Sequence, residues 1–165
     1  MDKVRIMIVD DDQDMREVLA IWARNQGYTP LTATNGQDAL QQIQESDKPI
    51  QVIFSDVAMP HMDGLELLDS LNKIGWHNPF IIQTGVGDKA MSIRALQLGA
   101  FDFLEKPISS SDFLRILETA SQTAKRRHDV IEMLVGDYRH KYGKEMNPQE
   151  LRALINLHTL KKRTG

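Results

Sequence analysis

The sequence predicts an α/β fold, a doubly wound five-stranded parallel sheet with a C-terminal helical extension. Two observations predict it. Five short apolar runs alternate with five amphipathic stripes through residues 1–120. Each stripe is opened by helix-capping residues or closed by a glycine, so the helices have encoded ends. A repeated strand-helix alternation makes a parallel sheet covered on both faces.

The first run, Val4-Arg5-Ile6-Met7-Ile8-Val9, reads as a strand, and Val18, Leu19 and Trp22 then recur at helical spacing until Gly27. Thr29 to Ala33 is the second strand; Pro30 cannot donate to a ladder, which suits a sheet edge or a strand start. Asn35-Gly36 opens a helix carrying Ala39, Leu40 and Ile43. Gln51-Val52-Ile53-Phe54 is the third strand, followed by the stripe Leu67, Leu68, Leu71 and Ile74 ending at Gly75. Phe80-Ile81-Ile82 is the fourth, followed by Met91, Ala95 and Leu96 ending at Gly99. Ala100 to Leu104 is the fifth. After Ser109-Ser110-Ser111-Asp112 a helix starts near Asp112, with Phe113, Ile116, Leu117 and Ala120 toward the sheet.

Nothing before Gly136 stops that last helix, and a new apolar stripe appears at Val130, Ile131, Leu134, Val135, Tyr138 and Tyr142. Lys141-Tyr142-Gly143-Lys144 reads as a break. Asn147-Pro148-Gln149-Glu150 starts another helix, with Asn at N-cap, Pro at N1 and Glu at N3, ahead of Leu151, Leu154, Ile155 and His158. The chain therefore divides into residues 1–122 and a helical extension, 123–165, too small to fold alone and so expected to dock on something.

Composition narrows the chemistry. With 165 residues, 41% hydrophobic and 26% charged, the chain is an ordinary globular protein. It has no cysteine, which excludes disulfides, thiolate metal sites, iron-sulfur clusters and cysteine nucleophiles. No stretch approaches the ~20 apolar residues of a membrane span, and Met1-Asp2-Lys3-Val4 carries acid where a signal peptide carries base, so a cytoplasmic location is expected. Residues 1–120 hold 18 acids and 10 bases, whereas residues 121–165 hold 5 acids and 10 bases. A basic tail of that kind suits an acidic partner or nucleic acid, and equally a plain solvated surface.

Open parallel sheets place functional groups in the crevice at the carboxyl ends of their strands. Here those ends carry Asp10-Asp11-Asp12, Ser55-Asp56, Thr84-Gly85 and Glu105-Lys106-Pro107. Clustered carboxylates repel one another unless a cation joins them, and hard oxygen ligands suit Mg²⁺. Asp56 is then placed as a nucleophile toward phosphorus, with Lys106 and Thr84 neutralising the transferring oxygens.

Over about residues 3 to 120 the sequence resembles the receiver domains of two-component response regulators, the CheY-like superfamily. The resemblance rests on Ile8-Val9-Asp10-Asp11-Asp12 with Arg16 downstream, on Ser55-Asp56-Val57-Ala58-Met59-Pro60-His61-Met62-Asp63-Gly64, on Thr84-Gly85, and on Phe103-Leu104-Glu105-Lys106-Pro107. It implies a flavodoxin-like sheet of order 2-1-3-4-5. It implies too that Asp56 accepts a phosphoryl group from a phosphohistidine on a cognate histidine kinase or phosphotransfer protein. Asp11, Asp56 and the Ala58 carbonyl would ligate Mg²⁺, Asp10 would hold it largely through water, and Thr84 and Lys106 would contact the phosphoryl oxygens. Phe103 would be the aromatic switch, and the Lys106-Pro107 bond would be cis. Ala58 and Val86 would border the hydrolytic water, and both are apolar. Such a protein is a phosphoacceptor that assists its own phosphorylation and dephosphorylation, not an enzyme acting on a separate substrate.

Other roles are simpler. Asp12 reads as a helix N-cap, Met59-Pro60 and Gly64 as loop-shaping residues, and His61 and His128 as exposed. A haloacid dehalogenase-type phosphatase also joins an aspartyl nucleophile, Mg²⁺, a hydroxyl residue and a lysine. Its Asp-x-Asp-x-Thr/Val pattern fails here, since Asp14 stands where Thr or Val belongs. For output, the sequence favours homodimerisation or partner docking through the C-terminal helices. The alternative is a DNA-binding regulator using the basic tail that ends Leu160-Lys161-Lys162-Arg163.

Overall fold

The structure, a computed structural model, describes residues 3–85 and 87–161. Val86 and the basic end Lys162-Arg163 lie outside the described residues. The elements run β1 (Arg5–Val9), α1 (Gln13–Asn25), β2 (Thr29–Ala33), α2 (Gly36–Glu45), β3 (Val52–Asp56), α3 (Gly64–Lys73), β4 (Phe80–Thr84), α4 (Lys89–Gln97), β5 (Asp102–Glu105), α5 (Ser110–Tyr142) and α6 (Pro148–Lys161). The strands form one sheet in the order β2-β1-β3-β4-β5, every neighbour parallel, which is the order expected. Pro30 accordingly sits on an edge strand.

Strand alternation divides the core in two. Met7, Val9, Ile53, Phe80 and Ile82 face one layer with α2, α3 and α4; Ile6, Ile8, Val52, Phe54, Ile81 and Leu104 face the other with α1 and α5. Because both faces are covered, the central strands β1, β3 and β4 are buried along nearly their whole length. The Phe113 ring lies 4.6 Å from Phe54 and 6.0 Å from Trp22, centroid to centroid, which joins α5 and α1 over β3.

Side-chain caps open the helices: Asp12, Asn35, Asp63, Asp88 and Ser109 each accept from a first-turn N–H. Ser109 takes the Asp112 N–H, so α5 begins at Ser110 rather than near Asp112. Two strands run further than their apolar residues suggest, so that Asp56 and Thr84 are the last residues of β3 and β4. In contrast β5 begins at Asp102, because the Ala100 N–H is drawn to the Ala95 carbonyl in the turn that closes α4.

α5 passes through Gly136 without a break and ends at Gly143, whose φ of 64° closes it in the left-handed region. It is also continuous through residues 122 and 123, so the division expected there falls within a helix. Its last buried side chain is Ala124. Beyond the turn, Asn147 accepts from the N–H groups of Gln149 and Glu150 at 2.9 Å, and the Glu150 carboxylate accepts from the Asn147 N–H and from the Tyr138 hydroxyl. The extension returns to its own receiver unit. Arg127 donates to the His77 carbonyl, the Arg152 stem lies beside Gly75, and Ile155 is buried. The Arg127 and Arg152 contacts are at the α3–β4 loop, the end of the sheet opposite the strand carboxyl ends.

Candidate functional site

The acidic site begins with the entry to α1. Asp12 caps that helix through the N–H groups of Asp14 and Met15, as expected of it, and the Arg16 guanidinium bonds the Asp10 carbonyl at 2.7 Å. The Asp10 N–H donates to Ala33 of β2, and Asp10 Oδ1 accepts from the Asp12 N–H at 2.9 Å. These bonds hold Asp10 fully buried while Asp11 is exposed.

Asp56 is carried in by β3 and fixed by the loop behind it. The Ser55 hydroxyl donates to the Asp56 carbonyl at 2.9 Å, and the Gly64 N–H donates to the Val57 carbonyl at 2.9 Å. A Cβ on Gly64 would overlap the Asp56 carbonyl oxygen, so only glycine lets α3 start this close to the strand end. Asp63 and Glu66 complete a capping box on that helix. His61 lies exposed in the same loop with a φ of 68°, and Ala58 is exposed at its start.

Carboxylate oxygens of Asp10, Asp11 and Asp56 lie within 4.8 Å of one another. Lys106 Nζ stands 3.0 Å from Asp56 Oδ2 and 3.6 Å from Asp10 Oδ2. Asp10 Oδ2 is buried and, among the described residues, has no hydrogen-bond partner. Burial foremost, then the Asp56 charge, raise the Asp10 pKa against the opposing Asp12 hydrogen bond and Lys106 charge. Burial also works against charge on Lys106, but the hydrogen bond and charge of Asp56, with those of Asp10, outweigh it and raise its pKa. Three oxygen donors, one an orphan in a dry setting, fit a hard divalent cation such as Mg²⁺.

The structure thus brings Asp10, Asp11, Asp56 and Lys106 together. Thr84 is buried at the adjoining strand end, and its carbonyl accepts from the Lys106 N–H at 2.8 Å, just before the cis Lys106-Pro107 bond. Phe103 is apart from the acids: it is exposed on β5, diagonal to Thr84 on the same sheet face, since Ile82 pairs with Phe103 and Thr84 with Glu105. Sequence reasoning missed Gln83, a fully buried amide opposite Asp56 in the register. Its signal was a polar residue between the fourth apolar run and Thr84.

Residues 6–118 match the response regulator receiver domain family. The chain is 32% identical over 154 residues to the nitrogen assimilation regulatory protein NtrX of Azorhizobium caulinodans, covering 92% of this chain and 34% of that protein. It is 35% identical over 117 residues to the transcriptional regulatory protein ZraR of Salmonella typhimurium, covering 71% and 25%. A response regulator receiver domain protein from Clostridium thermocellum superimposes with a TM-score of 0.68 at 30% identity, covering 78% of this chain and 98% of that one. The chain spans about a quarter to a third of the length of the curated relatives it matches. Among the described residues, no helix is long and apolar enough to cross a membrane.

Proposed function

The chain belongs to the response regulator receiver family of two-component systems, and from that premise we propose that Asp56 is its phosphoacceptor. A histidine kinase or phosphotransfer protein in the cytoplasm supplies the group. An Asp56 Oδ attacks phosphorus, the bond from phosphorus to the donor histidine nitrogen breaks, and the freed imidazole takes a proton. The observation that carries this reading is Lys106 Nζ held between Asp56 and Asp10, a cation already placed where charge develops on the transferring oxygens. Thr84 is the hydroxyl partner for those oxygens. Asp11, Asp56 and the Ala58 carbonyl would hold Mg²⁺, with Asp10 supporting it largely through water, and the ion would neutralise further negative charge there. Phe103 is the proposed switch, because it shares a face with Thr84 and is open to solvent.

Residues 1–122 form the receiver in this reading and residues 123–165 its output arm. The arm continues α5 directly and leaves Met133, Tyr142 and Leu157 exposed, apolar side chains suited to dimerisation or partner docking. A second reading has a specific observation behind it: ZraR and DctD, both among the relatives, are named as transcriptional regulatory proteins. In that reading the output is transcriptional control.

The test is labelling of the full chain with acetyl phosphate and Mg²⁺. One stoichiometric, base-labile phosphoryl group is expected, absent in Asp56→Asn and without the cation. Labelling of Asp56→Asn at the wild-type level would overturn the assignment. Solution mass with and without beryllofluoride and Mg²⁺ then tests the output arm.

A further inference from the structure

Gln83 has no place in the chemistry above, yet it sits in the same row of the sheet. Asp56 stands opposite Gln83, and Gln83 opposite Leu104. Side chains two apart on a strand share a face. Ile8, Phe54 and Ile81 all belong to the core beneath α1 and α5, so Asp10, Asp56 and Gln83, each two residues further on, stand side by side over that core. Gln83 is fully buried, and among the described residues neither its Oε1 nor its Nε2 has a hydrogen-bond partner.

A carboxamide left in that state is costly, and an apolar side chain of equal volume would escape the cost. Polar groups near it are few. On its own face the neighbouring strands offer Asp56 on one side and Leu104 on the other. Lys106, entering after β5, reaches Asp56 on β3 and Asp10 beyond β1, and must cross β4 to do so. Lys106 is two residues beyond Leu104, the register partner of Gln83, and so follows it on the same face of the sheet.

We propose that Gln83 is a positioning residue of the phosphorylation site, acting through Lys106 and Asp56; this rests on Asp56 being the acceptor. In the unloaded site the Lys106 ammonium is shared between Asp56 and Asp10. Once an Asp56 oxygen is esterified to phosphorus, the ammonium turns to the phosphoryl oxygens. The remaining Asp56 oxygen would stay with the divalent cation, and one Lys106 N–H would lack an acceptor. A carboxamide supplies that acceptor through its Oε1. Gln83 Oε1 is therefore unpaired before transfer and paired after it.

Gln83→Met in the full chain separates this from a packing role. The melting temperature of the unlabelled variant is expected to equal or exceed that of the wild type, while its labelling by acetyl phosphate with Mg²⁺ slows about three- to tenfold. In the wild type, the Gln83 side-chain NH₂ resonances, assigned through bonds, are expected to move when beryllofluoride and Mg²⁺ are added. That measurement stands even if Gln83→Met fails to fold. Equal labelling of both chains, or unmoved NH₂ resonances in a chain that binds beryllofluoride, overturns the role of Gln83 alone. Absence of wild-type labelling overturns the Asp56 reading and this one with it.

Discussion

Gly64 meets Asp56 main chain to main chain: a Cβ built on Gly64 overlaps the Asp56 carbonyl oxygen, which also accepts from the Ser55 hydroxyl. The contact sets how closely α3 approaches the end of β3. Gly64→Ala must push the loop outward, and it is expected to lower stability by about 1–3 kcal/mol. Urea unfolding checks this; an unchanged midpoint would mean that the loop yields freely.

Asp10 makes the metal-free site costly. Its raised carboxyl pKa, caused first by burial and then by Asp56, means that the folded chain holds this proton more tightly than the unfolded chain does. Stability contributed by Asp10 therefore falls as pH rises from its ordinary 3.8 through the folded value. Asp10→Asn is expected to raise the metal-free melting temperature at neutral pH by about 3 °C, near 1 kcal/mol for a chain of this size. The same variant should gain less from added Mg²⁺ than the wild type, as calorimetry would record.

The docked extension introduces an opposite dependence. His77 has a lowered pKa, chiefly through burial, with the charges of Arg127 and His128 adding to it and the Gly75 carbonyl opposing. A histidine held neutral in the fold loses stability as pH falls below its ordinary 6.5 toward the folded value. His77→Gln should flatten the fall in urea midpoint over that window. The Arg127 bond is to the main-chain carbonyl of His77, so the substitution leaves it in place.

Ala58 is exposed at the rim of the site and offers no polar group to orient an attacking water. Self-dephosphorylation is accordingly expected to be slow, and Ala58→Asn to shorten the acyl phosphate lifetime by about tenfold or more. Decay of labelled protein measures it, and an equal lifetime in the variant would refute the idea.

Truncation after Ala124 removes no side chain that α5 buries in the receiver core. The shortened chain is expected to stay folded and to label at the full-length rate. Leu134→Asp in the full chain, placed on the half-buried stripe of α5, should weaken any dimer formed through the extension. Light scattering on phosphorylated and unphosphorylated chains checks both.

Much of the fold was legible because it is written in local periodicity. Apolar runs such as Ile6 to Val9 and Phe80 to Ile82, set between caps such as Asp12 and Asn35, are recognisable without knowledge of what they touch. The same holds for Asn147 to Glu150, where cap and carboxylate are three residues apart. Strand ends were less legible: Asp56 and Thr84 look like loop residues, and only pairing with Gln83 and Glu105 across the sheet makes them strand.

The order of residues by itself determined the alternation of elements, the identity of the acids at the strand ends and the point at which the extension turns back. It did not determine that Lys106 stands between Asp56 and Asp10, that Gln83 is sealed beside them, or that Arg127 and Arg152 bring the extension to His77 and Gly75. Those residues are between 23 and 96 positions apart, and no local period relates them. Their meeting depends on which strands become neighbours in the sheet, and that choice is made by burying two apolar faces at once.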